Sequence, residues 1–178
     1  DDMQVNFRTH AHGQGYADLN FIIPELIGVM DYRKGPYFAD LGDLSSAGEA
    51  NYHLVNRLEQ GTASITLGGN NYYRAFAGDS FELGAGTLTL GAEYSREDGP
   101  WETGDNYRRI NGVAKYFQGT DRDFFSITGM YYDGRWNASD QVARRAIREG
   151  TVGRFGRLSD DEGADTARGS LQFNRQWT

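Results

Sequence analysis

The sequence predicts an all-β fold: a transmembrane antiparallel β-barrel of which only about the first six strands are present, preceded by a small α+β portion. Three observations predict this class. The residues after position 60 alternate with a period of two, the patterned stretches are about ten residues long, and one face of them carries charge. Tilted strands of about ten residues cross a bilayer. Outer-membrane barrels alternate apolar residues facing lipid with polar residues facing the lumen.

Alternation of apolar and polar residues marks each predicted strand. In one stretch, for example, Leu88 and Leu90 alternate with Thr89, and Glu93 follows on the polar side. The same period predicts strands at 62–69, 73–83, 87–96, 108–118, 124–136 and 166–174. The polar positions include the charged residues Arg74, Glu82, Glu93, Lys115 and Arg168. A small soluble barrel fills its interior with apolar groups, so these charged faces indicate a polar lumen and an outer surface in lipid.

The connections between the predicted strands differ in length. Gly84–Gly86 and 119–123 are short, 97–106 is of medium length, and 137–165 is a long polar loop. Asn70-Asn71 is a tight turn. Outer-membrane barrels have short periplasmic turns and longer external loops. We therefore expect the two short connections on the periplasmic side and the two longer loops outside.

Composition and charge exclude several classes of protein. The chain of 178 residues has 24 Gly and 11 Tyr but only 38% hydrophobic residues, a balance that suits amphipathic strands. Its net charge of −7 lacks the basic surface that nucleic-acid binding requires. Without Cys it has no disulfides and no thiolate metal site. Aromatic residues near the external strand ends predict an interfacial girdle, namely Trp101, Trp136, Tyr72, Tyr73, Tyr107, Tyr131 and Tyr132.

One stretch carries a family resemblance. Asp31-Tyr32-Arg33-Lys34 runs into Gly35-Pro36, an aromatic and Ala-containing segment leads to Gly42, and Ser45-Ser46-Ala47-Gly48 follows. This stretch resembles the end of the plug domain in TonB-dependent outer-membrane receptors, and Met3–Asn6 is similar to the end of an earlier plug strand. Glu49, where a second Gly is common, and His53, in the last plug strand, depart from the pattern.

The resemblance implies both the domain organisation and the function. Residues 1–60 would be the C-terminal part of the plug domain, and residues 61–178 the N-terminal strands of the outer-membrane β-barrel. The chain would be a piece of a receptor that takes up a scarce nutrient, a ferric siderophore or another metal chelate, with energy from TonB. The expected partners are TonB, through a TonB box absent from this chain, outer-membrane lipid and the chelate. The expected location is the outer membrane of a Gram-negative bacterium.

The segment from residue 8 to residue 16 is the candidate substrate site. In the family, the equivalent plug loop points toward the external vestibule. The resemblance therefore implies that the substrate is contacted by Arg8, His10, His12, Gln14 and Tyr16. Structural hydrogen bonding within the plug is the alternative role. His10 and His12 are also candidates for direct metal binding, although Asp18 is the only carboxylate near them in sequence.

A second group of charged residues is expected to hold the plug in place. Asp31, Arg33 and Lys34 would form ion pairs between the plug and the inner barrel wall, as acids and bases at that boundary do in the family. Asp40 and Asp43 would serve the same purpose or cap turns.

Enzyme activity is not expected, and no cofactor is implied. Gly13-Gln14-Gly15 is too short for a dinucleotide fingerprint, and no Gly-x-Ser-x-Gly elbow is present. Two other classes stay open: a passive outer-membrane porin or adhesin barrel, and a soluble glycan-binding β-domain. The plug-like segment counts against the first, and the charged strand faces count against the second.

Overall fold

The computed structural model describes residues 1, 3–120, 122–138, 141–159 and 163–177. Eight strands dominate these residues: β1 (Ile27–Lys34), β2 (Gly48–Leu54), β3 (Thr62–Leu67), β4 (Tyr73–Leu83), β5 (Gly86–Glu97), β6 (Tyr107–Gly119), β7 (Phe124–Trp136) and β8 (Ala164–Gln176). Helical structure among them is confined to two 3-10 turns, Pro24–Leu26 and Ala39–Leu41, and to α1 (Arg144–Arg148). No helix in the described part of the chain is both long and apolar enough to cross a membrane.

Strands β3 to β8 form one sheet in sequence order, and each pairs antiparallel with the next. The prediction of six antiparallel strands and of an all-β fold is therefore confirmed. The strand ends lie within two residues of the predicted ones. The prediction that 137–165 is a loop was wrong in one respect, because this stretch contains the short helix α1. The Arg and Ala residues of α1 have good helix propensity.

The six-stranded sheet is not closed. Strand β3 pairs only with β4 and strand β8 pairs only with β7, so one edge of each is unpaired among the described residues. The prediction of antiparallel sheet structure holds, while closure into a barrel stays a prediction.

Strands β1 and β2 form a separate hairpin whose pairing runs from Ile27 opposite Leu54 to Lys34 opposite Gly48. Gly48 is required there, because it has φ 127° and a Cβ would overlap the carbonyl oxygen of Arg33. The 3-10 turn at Pro24–Leu26 lies where Pro24 predicts a helical start. The division of the chain into plug and barrel portions stays a prediction.

The two faces of the six-stranded sheet differ in what covers them. The inner face, defined here as the side toward residues 1–60, packs against Ile23 and Leu26, which are fully buried with Phe76 and Val113 of the sheet. No element in the described part of the chain covers the outer face, which exposes many large apolar side chains. The polarity of the sheet is thus reversed relative to a soluble domain, in which the apolar face is the buried one.

Leu26 lies directly on the backbone of the inner face, and this contact requires glycine at position 91. A Cβ on Gly91 would lie 2.5 Å from Leu26 Cδ1, whereas a Cβ on Gly112, on the outer face, would meet nothing within 4 Å. Gly91→Val should destabilise the protein by about 1–3 kcal/mol through overpacking, and Gly112→Val should not. Urea unfolding in detergent measures both. Equal effects would show that Leu26 does not pack on this strand.

Candidate functional site

The contact between residues 1–60 and the inner face is built from polar groups. The buried polar residues of the described chain all lie on the inner face of β5, β6 and β7: Thr89, Glu93, Ser95, Asn111, Lys115, Ser126 and Thr128. Alternation with a period of two places them there, because successive strand residues point to opposite faces. A buried charge is tolerated only where it is paired and hydrogen-bonded, so the partners of these groups define the site.

Glu93 lies at the centre of this surface with a fully buried carboxylate. Its Oε2 accepts a hydrogen bond of 2.7 Å from Arg74 Nε on the neighbouring strand. On the other side, Arg109 Nε lies 2.9 Å from Oε1, which also accepts a hydrogen bond of 3.0 Å from Asn111 Nδ2. Two arginines thus neutralise one buried carboxylate, leaving a net positive charge toward residues 1–60.

The N-terminal segment supplies the second carboxylate. The terminal nitrogens of Arg74 donate to both carboxylate oxygens of Glu25, at 2.6 and 2.7 Å. This bidentate hydrogen bonding by Arg74 lowers the pKa of Glu25 below its ordinary value. Asn20 adds two contacts, accepting from Arg109 through its side chain at 3.1 Å and from Asn111 through its carbonyl at 2.9 Å.

A second set of contacts fixes the chain at the C-terminal end of β2. Lys115, whose side chain is 5% exposed, donates 2.8 Å to the carbonyl of Leu54 and lies 3.1 Å from the carboxylate of Asp1. Thr89 Oγ1 donates to the carbonyl of Asn56 at 3.0 Å. These bonds attach two backbone carbonyls at the end of β2 to strands β6 and β5.

Strand β8 contributes one cation to the interface. The Arg168 guanidinium lies 4.3 Å from the ring centroid of Phe21 and 5.6 Å from that of Phe7. Next to it, a cavity of about 630 Å³ separates the N-terminal segment from the inner face. Thr128 Oγ1 and Gln172 Oε1 have no hydrogen-bond partner within the described part of the chain, and both residues line this cavity. Two buried oxygens without a described partner thus belong to residues at the wall of this cavity.

The predicted substrate loop is closed by a bridge between Phe7 and Tyr16. This closure stacks three of the predicted residues: the rings of His10 and Tyr16 lie 4.1 Å apart and within 9° of parallel, and His12 lies 5.4 Å from His10. The group is solvent-exposed. Gln14 is exposed between them in sequence, and Arg8 lines the cavity instead.

Metal binding by His10 and His12 stays a prediction. The two imidazoles are stacked within 21° of parallel, and Nδ1 of His10 accepts a hydrogen bond from the backbone N–H of His12 at 3.2 Å. No group of three or more metal-ligating residues occurs among the residues described. The geometry favours stacking on a flat ligand over chelation.

The predicted ion-pairing residues of β1 have local partners. Asp31 lies 3.2 Å from Nε2 of His53, and Arg33 lies 2.6 Å from Asp40. The hydrogen bond from Arg33 lowers the pKa of Asp40. Lys34 lies over the ring of Tyr32. These contacts stay within residues 1–60, so ion pairing of Asp31, Arg33 and Lys34 with a barrel wall stays a prediction.

The contacts that do cross to the sheet involve residues that motif reasoning missed. Arg74, Glu93 and Lys115 were marked only as charges on polar strand faces, and Glu25 and Arg109 were not singled out. The sequence signal that could have identified the interface residues of the sheet is a charge at an inward-facing position of a predicted strand. Nothing in the sequence pattern indicates which charge is its partner.

The outer face exposes a continuous set of large apolar residues: Ile65, Leu67, Phe81, Leu83, Leu90, Tyr94, Ile110, Ile127, Tyr131, Leu171 and Phe173. Asp79 is a charged residue within this apolar area, and its carboxylate accepts a hydrogen bond from the N–H of Ser80. Soluble monomers rarely expose apolar patches larger than a few hundred Å². Apolar faces of this size are typical of surfaces that contact a membrane or another protein.

Only some residues of the predicted aromatic girdle lie on the outer face. Tyr73 and Tyr131 lie on the outer face. Tyr132, which is 2% exposed, and Tyr107 and Trp136 point to the inner side, so these three do not face outward as predicted. Trp101 lies in the loop after β5 and packs against Phe155 of the loop before β8. The period of two explains the difference, because neighbours such as Tyr131 and Tyr132 must face opposite ways.

Comparison of the chain with protein-family models, with curated proteins and with solved structures finds no match.

Loss of the Glu93 charge tests whether this cluster holds the interface. Glu93→Gln leaves Arg109 buried without its carboxylate and should cost about 3–5 kcal/mol. Glu82→Gln is the matched control, because Glu82 pairs with Arg57 at the exposed end of β4 and such pairs contribute about 0–1 kcal/mol. Urea unfolding followed by tryptophan fluorescence measures both variants. A Glu93→Gln effect as small as the control would remove the cluster from its central role.

Proposed function

We propose that the chain is part of a TonB-dependent outer-membrane receptor, with residues 1–60 in the plug and strands β3–β8 in the barrel wall. The observation that carries the proposal is the reversed polarity of the sheet, in which the charged residues Glu93 and Lys115 are buried under residues 1–60 while large apolar side chains of the other face are exposed. Such a sheet is stable where lipid covers the outer face and a plug fills the polar lumen.

Strand length supports a membrane location. Strands β6, β7 and β8 each have 13 residues. At a rise of about 3.3 Å per residue they extend about 40 Å, which becomes about 30 Å along the membrane normal at a tilt near 40°. That distance matches the hydrocarbon core of a bilayer. Unpaired strand edges are not tolerated in lipid, so we propose that further strands pair with β3 and β8 to complete the wall.

The plug contact supports an energy-coupled receptor over an open pore. Glu25, Asn20 and Leu54 are held by hydrogen bonds to three different residues of the sheet. A segment bound in this way blocks passive passage and needs work to move. In the proposed mechanism the substrate binds the plug, TonB pulls on the plug, and the path opens. The substrate favours the competent plug state only through a difference in affinity between the two states.

The proposed substrate is a ferric siderophore or another metal chelate. His10, His12 and Tyr16 offer a flat, exposed stack that suits the planar organic part of a chelate. The two alternative classes fit less well. A soluble glycan-binding domain would not expose the apolar outer face, and a passive porin or adhesin would not need charged contacts that hold a segment inside.

A charge on the outer face distinguishes a membrane wall from a soluble sheet. Ala92→Arg places a cation near the middle of this face and should cost about 2–4 kcal/mol in a bilayer. Ala85→Arg, in the exposed turn between β4 and β5, should be nearly neutral. Unfolding in phosphatidylcholine vesicles measures both. Ala92 is already exposed, so a neutral Ala92→Arg variant would contradict the membrane assignment.

The receptor role is tested at the stacked loop. The double variant His10→Ala/His12→Ala removes two of the three stacked rings and should reduce uptake of the native metal chelate by about tenfold, the effect of losing one to two aromatic contacts. Thr9→Ala, in the same exposed loop, is the control. Uptake measured with radioactive iron that stays equal in both variants would remove this loop from the substrate site.

A further inference from the structure

Three arginines form a row on the outer face of the sheet, at the end that carries the long loops. Arg96 on β5 lies opposite Arg108 on β6, and Arg108 lies opposite Arg135 on β7. Directly opposite residues on antiparallel strands have Cα atoms about 4.5–5.5 Å apart. All three side chains point away from the N-terminal segment. They therefore have no part in the buried cluster around Glu93.

Like charges in direct opposition destabilise a sheet unless an anion lies between them. The nearby acids provide only weak pairing. Asp98 lies 3.6 Å from Arg96, and Asp133 lies 3.4 Å from Arg135. Charge-assisted hydrogen bonds are about 2.7–2.9 Å long, so both arginines keep donors free for a better acceptor. Asp98 already accepts a hydrogen bond of 2.6 Å from Asn71.

The three arginines line one pocket of about 540 Å³. Tyr94 and Asn106 also line it, and Asp165 on β8, opposite Arg135, supplies its acid. The lining is mainly polar, with three cations against this one carboxylate. Guanidinium groups recognise phosphate through paired N–H donors, and several around one pocket suit a phosphate group better than a single carboxylate.

An apolar surface begins directly below this pocket. Moving down the strands, the next outward row holds Tyr94, Ile110 and Asp133, the acid beside Arg135, and the row after it contains the small residues Ala77, Ala92 and Gly112. These small residues line a shallow apolar depression of about 870 Å³. Phosphate-binding cations at one end and an apolar depression below them match an amphiphile.

We propose that Arg96, Arg108 and Arg135 bind a phosphate group in the headgroup of a membrane lipid, whose hydrocarbon chains lie in the depression below. This inference rests on the proposed function, because lipid contacts the outer face only in a membrane protein. From Arg135 to Phe125 the outer face of β7 extends about 33 Å along the strand, or about 25 Å along the normal when tilted. The arginine row is thus at headgroup level on the side of the long loops.

The test compares lipid retention by the full chain and its variants. Each protein is inserted into phosphatidylcholine vesicles with or without phosphatidic acid and extracted in mild detergent, and the retained lipid is identified by mass spectrometry. Wild-type chain should retain phosphatidic acid, and R96Q/R108Q/R135Q should retain about tenfold less, as expected for the loss of charge-assisted bonds. The control R144Q/R145Q/R148Q removes the same charge from the exposed helix α1 and should retain as much as wild type.

The outcomes separate the lipid site from the receptor proposal. Insertion of all three proteins with equal retention of phosphatidic acid would overturn the lipid site alone. Displacement of phosphatidic acid by inorganic phosphate would also overturn it, because the site would then bind free phosphate without the lipid chains. A chain that stays in the aqueous supernatant of both vesicle preparations would overturn the membrane assignment and the lipid site together. The lipid site is supported if phosphatidic acid stays bound in the presence of inorganic phosphate and its retention is lost only in R96Q/R108Q/R135Q.

Discussion

The buried carboxylate of Glu93 is the group on which the arrangement of the molecule depends. It is fully excluded from water, so it needs cations on both sides, and Arg74 and Arg109 supply them from the two neighbouring strands. The surplus positive charge then needs an acid from another part of the chain. Glu25 meets that need and positions the turn at Pro24–Leu26, which places Leu26 over Gly91. The small apolar core is therefore located by the charges around it.

Because residues 1–60 cover the polar face of the sheet, the apolar face of the same strands is left exposed. Residues 1–60 bury Glu93, Asn111 and Lys115, and the opposite side of the same strands exposes Ile110 and Leu90. Strict alternation makes these two facts inseparable, because a strand cannot turn its charges inward without turning its apolar residues outward. In water, that exposure would cost about 25 cal/mol for each Å² of apolar surface. A lipid environment removes this cost, so the inner-face charges and the proposed membrane location have one physical origin.

The sequence predicted local features well and long-range pairing poorly. The period of two located six strands, and the Asn70-Asn71 turn was visible because both residues adopt a positive φ that Asn tolerates. The partner of Arg74 was not predictable, since Glu25 lies 49 positions away and a dyad pattern shows only which face a residue occupies. The stack of His10 on Tyr16 was equally hidden, because it depends on the bridge that closes the loop at Phe7.

The chemistry of the interface also bears on how a plug could move. Among the residues that the structure describes, the buried apolar core of this interface is small: Ile23, Leu26, Phe76 and Val113, with Leu54, Val55, Leu58 and Met130 partly buried against it. Most other contacts are hydrogen bonds and ion pairs to Asn20, Glu25 and the carbonyls of Leu54 and Asn56. Separating polar surfaces lets water replace each lost bond, whereas separating an apolar core exposes surface that water cannot stabilise. Thr128 Oγ1 and Gln172 Oε1, which have no hydrogen-bond partner among the described residues, belong to residues that line the cavity. In the proposed receptor, a segment held mainly by such bonds separates from the sheet in steps under a directed pull, as energy-coupled opening requires.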